Sequence, residues 1–69
     1  MKIKLNGEEK DIEGGLNIAG LLTILGLKKE TVAIEQNGEI IRKPDYRNAV
    51  LKENDIVEIV HFVGGGQVV

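Results

Sequence analysis

Three consecutive glycines, Gly64, Gly65 and Gly66, follow the apolar run Ile56-Val57-Glu58-Ile59-Val60-His61-Phe62-Val63 in this 69-residue chain. Glycine is used where backbone must take conformations that other residues refuse, or where another backbone or a ligand must come close. Three of them behind a strand suit insertion of bare main chain into a narrow pocket. A frayed, flexible terminus is the plain alternative. Side-chain chemistry is sparse by comparison. His61 is the only histidine, and a histidine needs a nucleophile or an acid/base partner beside it before it makes a site. The chain has no cysteine and no serine, and its only threonines are Thr23 and Thr31. The glycines form no P-loop, because no G-x-x-x-x-G-K-[ST] follows a strand and opens a helix. The residues therefore predict no catalytic residue, no metal site and no nucleotide bound by this chain alone.

Composition narrows the class further. The absence of cysteine excludes a disulfide scaffold and a thiolate zinc centre. A net charge of -2, from nine basic and eleven acidic residues with the signs interspersed, argues against nucleic acid. A dedicated nucleic-acid binder shows a basic stripe and stacking aromatics, whereas Tyr46 and Phe62 are the only aromatics here. No run is long enough to span a bilayer, and alternation begins at Met1, so a soluble cytoplasmic protein is expected.

The elements that must position the glycines follow from periodicity. Met1, Ile3 and Leu5 alternate with Lys2, Lys4 and Asn6, the pattern of a half-buried strand. Asn6-Gly7 predicts a tight hairpin, with a return strand over about Glu9 to Glu13 closed by Gly14-Gly15. Ile18, Leu21, Leu22 and Leu25 then fall at i, i+3, i+4 and i+7, an apolar helical stripe. Asn17 is its expected N-cap and Gly26 its C-terminal stop; Gly20 is expected to let the helix sit close to a sheet. Thr31 to Glu35, Asn37-Gly38 and Glu39 to Ile41 read as a second hairpin, Ala49 to Leu51 as a short strand, and Ile56 to Val63 as the longest one. The order is ββαβββ. One helix covering one face of a mixed sheet, with the first and last strands joined at the centre, is an α+β fold of the β-grasp, or ubiquitin-like, type. Two regions are expected: a domain over residues 1–63 and a flexible glycine-rich tail over 64–69.

The two-residue period of a strand fixes which way the last one faces. With Glu58 in solvent, Val57 and Ile59 point at the helix. Ile56, Val60 and Phe62 then share the open side with Glu58 as a candidate docking patch. Cover by loops or by the neighbouring hairpin, or a bulge near His61 that shifts the phase, fits the same residues.

Taken with the strand order, three segments give the chain a close resemblance to the ThiS family of small sulfur carriers. They are Asn17-Ile18-Ala19-Gly20-Leu21-Leu22, Val32 to Ile41, and Asp55 to Gly66. The resemblance covers residues 1 to 66. It implies a carrier and not a catalyst. In that family the C-terminal glycine carboxylate is adenylated by a ThiF-type enzyme that uses ATP and Mg, and it becomes a thiocarboxylate with sulfur from a persulfide on another protein. A ThiG-type thiazole synthase accepts that sulfur for thiamine. On this pattern Gly66 carries the thiocarboxylate, Gly64 and Gly65 enter the partner's pocket, and Ile56, Glu58, Val60 and Phe62 dock.

The chain departs from the pattern in one respect. Gln67-Val68-Val69 follows the glycines, so Gly66 is an internal amide as written, and an amide cannot be adenylated. Removal of residues 67–69 by a peptidase is the expectation, with Gly64 or Gly65 as alternative mature ends. Two rivals remain open at this stage. One is a carrier serving molybdopterin or another sulfur metabolite; the other is a ubiquitin-like module that docks partners without terminal chemistry.

Overall fold

A computed structural model describes residues 1–63 and 67–68. The expectations placed on Gly64, Gly65 and Gly66 lie outside the described residues. Strands β1 (Lys2–Leu5), β2 (Glu8–Asp11), β3 (Val32–Gln36), β4 (Glu39–Ile41) and β5 (Ile56–Val63) form a mixed sheet in the order β2-β1-β5-β3-β4. Helix α1 (Ile18–Leu25) packs on one side. The first and last of these strands are neighbours and run parallel, with Lys4 opposite Ile56 and Leu5 opposite Val57. This is the ββαβββ β-grasp arrangement that the periodicity predicts.

Both hairpins turn at an Asn-Gly pair. Asn6 and Gly7 have φ of 50° and 84°, and Asn37 and Gly38 have 53° and 83°. Positive φ at both central positions gives a turn whose twist matches that of the strands it joins. Helix α1 is stopped at both ends by the expected residues. The Asn17 side-chain oxygen accepts from the Gly20 N–H at 2.7 Å, and Gly26 takes the left-handed conformation at φ 71°. Its buried stripe is Ile18, Leu21 and Leu22, with Leu25 half-buried at the edge. These side chains meet Ile3, Val32, Ile34, Val57 and Ile59 from the sheet, and Ile12, Tyr46 and Leu51 from the connections.

Two local expectations change. Ala49 to Leu51 is not a strand of the sheet; Asn17 and Val50 form an isolated bridge. The Ile18 N–H donates to the Ala49 carbonyl at 3.0 Å and the Leu51 N–H to that of Leu16 at 2.8 Å. The segment therefore satisfies its backbone against the entry to α1 and not against the sheet. Gly20 is constrained from within its own helix. A methyl group there would stand 2.7 Å from Leu16 Cδ1 and 3.1 Å from the capping Asn17 Oδ1, so the close approach is to the preceding turn and not to the sheet.

Asp55 closes the connection into β5. It is 7 % exposed and its carboxylate accepts three hydrogen bonds: Oδ2 from Gln36 Nε2 at 2.9 Å and from the Lys52 N–H at 2.8 Å, and Oδ1 from Asn37 Nδ2 at 2.9 Å. Burial alone would raise its pKa. The hydrogen bonds from Asn37, Lys52 and Gln36, with the Lys52 charge, outweigh burial and hold the carboxyl below its ordinary value. The Asn37 oxygen meanwhile accepts from the Ile56 N–H at 2.9 Å. One carboxylate thus ties the β3–β4 turn to the start of β5 and sets that strand's register.

Candidate docking face and carrier tail

Strand β5 is the element that leads to the glycines, and its phase is fixed along its length. It pairs antiparallel with β3 from Val57 opposite Gln36 to His61 opposite Val32. The Asn6 side-chain oxygen also accepts from the Ile59 N–H at 2.7 Å. Val57 and Ile59 lie in the core, at 0 % and 9 % exposure. Ile56 and Val60 stand on the open side at 50 % and 38 %, with Glu58 exposed between them and Phe62 half-buried. The structure thus brings Ile56, Glu58, Val60 and Phe62 onto the face that helix α1 does not cover. His61 is exposed. No cluster of three or more metal-ligating side chains occurs among the described residues, and none of their helices is long and apolar enough to cross a membrane.

The face is wider than β5. Ile40 on β4 is 75 % exposed, and it pairs with Glu35, which in turn sits opposite Glu58. A shallow depression between them is lined by Ala33, Glu35, Ile40, Glu58 and Val60. Two features of this row have no structural benefit. Apolar side chains stand in water, and two carboxylates face each other across neighbouring strands, an arrangement that destabilises a sheet. Among the described residues neither glutamate has an ion-pair partner, the sole ion pair being Lys2 with Glu9 at 4.0 Å. A partner presenting apolar surface around a cation would relieve both. The sequence alone did not mark Ile40 or Glu35, because their place beside Glu58 depends on a pairing register set by residues far apart in the chain.

At its far end β5 meets the segment that follows the glycines. Gln67–Val68, here β6, pairs antiparallel with Phe62 and Val63, beyond the last rungs shared with β1 and β3.

Comparison with known proteins agrees with this geometry. Residues 3–66 match the model of the ThiS family. The chain is 42% identical to the sulfur carrier protein ThiS of Bacillus subtilis, over 93% of this chain and 98% of that one. It is 48% identical to a thiazole synthase of Magnetococcus marinus over 97% of its own length, and it spans only 21% of that protein. It likewise spans 20% of a second thiazole synthase, from Paramagnetospirillum magneticum, at 39% identity. Among solved structures, the crystal structure of the thiamine biosynthesis protein ThiS from Geobacter metallireducens superposes with a TM-score of 0.81 at 33% identity, covering 96% of this chain and 100% of that one. With a family model spanning nearly all of the sequence, a full-length carrier relative and a matching fold, the chain belongs to the ThiS family of sulfur carrier proteins.

Proposed function

We propose that the chain carries sulfur for thiazole formation in thiamine biosynthesis, as a thiocarboxylate on Gly66 after residues 67–69 have been removed. The observation that carries this reading is the continuity of β5. One strand presents Ile56, Glu58 and Val60 on the uncovered face and runs on towards Gly64, Gly65 and Gly66, so a partner gripping the face receives the tail. A chain without cysteine offers no thiol to hold sulfur. A terminal carboxylate is the group that remains.

The chemistry needs activation because carboxylate is a poor electrophile. Attack of the Gly66 carboxylate on the α-phosphorus of ATP, in the active site of a ThiF-type enzyme with Mg, releases pyrophosphate and leaves an acyl-adenylate. A persulfide sulfur on a donor protein then attacks the acyl carbon, and AMP departs. A thiol cleaves the resulting acyl disulfide, leaving the thiocarboxylate on the carrier and a disulfide on the donor side. Glycine suits the acyl position because its carbonyl is unhindered. The recipient is a ThiG-type thiazole synthase, a partnership supported by the similarity of this whole domain to one fifth of two thiazole synthases.

Removal of the extension is supported by the pairing of Gln67–Val68 with Phe62 and Val63. A tail extended into an enzyme's pocket cannot keep those rungs, and an amide at Gly66 has no free carboxylate. The test is ATP–pyrophosphate exchange with a ThiF-type enzyme, comparing chains that end at Gly66 and at Val69. Exchange is expected only with the Gly66 form. Equal exchange by both, or by neither with a competent enzyme, removes the reading.

A further inference from the structure

A second site lies on the helix side of the molecule, away from the open face. The short 3₁₀ turn Lys43–Asp45 and the two residues after it fold back onto α1. The Ala19 N–H donates to the Tyr46 carbonyl at 3.0 Å, and Asn17 Nδ2 to that of Arg47 at 3.1 Å. Between this turn, the helix and the segment leaving it is an open cleft of about 500 Å³. Its floor is Leu22, Leu27 and Tyr46, and its rim carries Lys29, Lys43 and Arg47.

Three properties of the cleft go together. Its lining contains three cations and no carboxylate, in a chain whose net charge is -2. None of the three cations is ion-paired among the described residues. Tyr46 is 3 % exposed, yet among those residues no hydrogen bond engages its hydroxyl, which is not sealed from solvent either. Lys43 is already drawn inward, its Nζ donating to the Val32 carbonyl at 3.3 Å. The Tyr46 hydroxyl, open to the cleft, is therefore a donor available to a ligand, and three like charges around one opening repel one another. An oxyanion would satisfy all four groups at once, through charge-assisted hydrogen bonds of the strong kind.

We propose that this cleft binds an oxyanion, a phosphate or carboxylate group, between Lys29, Lys43 and Arg47 with the Tyr46 hydroxyl as a further donor. The site is independent of the tail chemistry. It also leaves the open sheet face free, so an anionic ligand and a partner docked on β5 can be held together. The group is supplied either by a free phosphate compound or by an acidic side chain of a protein partner.

The experiment is an NMR titration of the full 69-residue chain with inorganic pyrophosphate in one arm and, in the other, an Asp-Asp dipeptide blocked at both ends. Saturating shifts are expected at the amides of Lys29, Lys43 and Arg47 and at the Tyr46 ring. Saturation with pyrophosphate alone identifies a free phosphate compound as the source, and saturation with the dipeptide alone a partner's carboxylates; either supports the site. K43Q and R47Q are each expected to weaken binding about three- to tenfold, as loss of one of several partly exposed charges should, and Y46F about threefold. K2Q, on the far side of the sheet, should leave it unchanged. Shifts spread over all lysines without saturation, or affinities that K43Q and R47Q do not alter, overturn the proposal.

Discussion

Single residues set much of this fold, and Asp55 is the clearest case. Replacing it with alanine leaves the Gln36 and Asn37 amides and the Lys52 N–H without their acceptor. Leaving such groups unsatisfied costs about 1–3 kcal/mol, measurable by urea unfolding. Because its folded pKa is depressed, its contribution is fully present above the ordinary value of 3.8 and disappears as pH falls through the lower folded value. The wild-type chain should therefore lose stability on acidification below about pH 4 more steeply than Asp55→Asn, which has no carboxylate to protonate. At Gly20 the expected result runs against propensity. Alanine in a helix is normally worth about 1 kcal/mol over glycine, but here the added methyl would crowd Leu16 and the capping oxygen. Gly20→Ala should give no increase in melting temperature, and a gain of the full propensity would show that the crowding is harmless.

At the scale of elements, the hairpins, the helix and the phase of β5 were legible because each is written in local residues. Asn6-Gly7 and Asn37-Gly38 demand their turns, Asn17 and Gly26 delimit α1, and the alternation around Glu58 decides which side chains face out. What the sequence hid depends on distant partners. Asp55 read as an ordinary turn residue until Gln36 and Asn37 were brought against it. Ala49 to Leu51 read as a strand because its composition suits one, and only the fold shows that α1's entry takes its hydrogen bonds. The pairing of Glu35 with Glu58 was hidden for the same reason. It yields a test of the docking face. Glu35→Gln removes the facing charge and should stabilise the isolated domain by about 0.2–1 kcal/mol while weakening its complex with a ThiF-type enzyme. Val60→Asp should abolish that complex with an unchanged amide spectrum. Retention of binding in both variants would move the interface elsewhere.

At the scale of the whole molecule, a 69-residue chain without disulfides rests on one small core. Leu21→Ala, at a fully buried position, should remove about 2–5 kcal/mol, a large share of the roughly 3–10 kcal/mol expected for a domain of this size. That core holds β5 in place, and on the proposed function the folded body presents the tail and takes no part in the chemistry. The most direct measurement is the intact mass of the Gly66-terminated chain after incubation with a ThiF-type enzyme, ATP, Mg and a persulfide donor. The expected product is heavier by one oxygen-to-sulfur exchange, confined to a C-terminal fragment containing Gly66. An unchanged mass with an enzyme that modifies a known carrier in the same mixture would contradict the account.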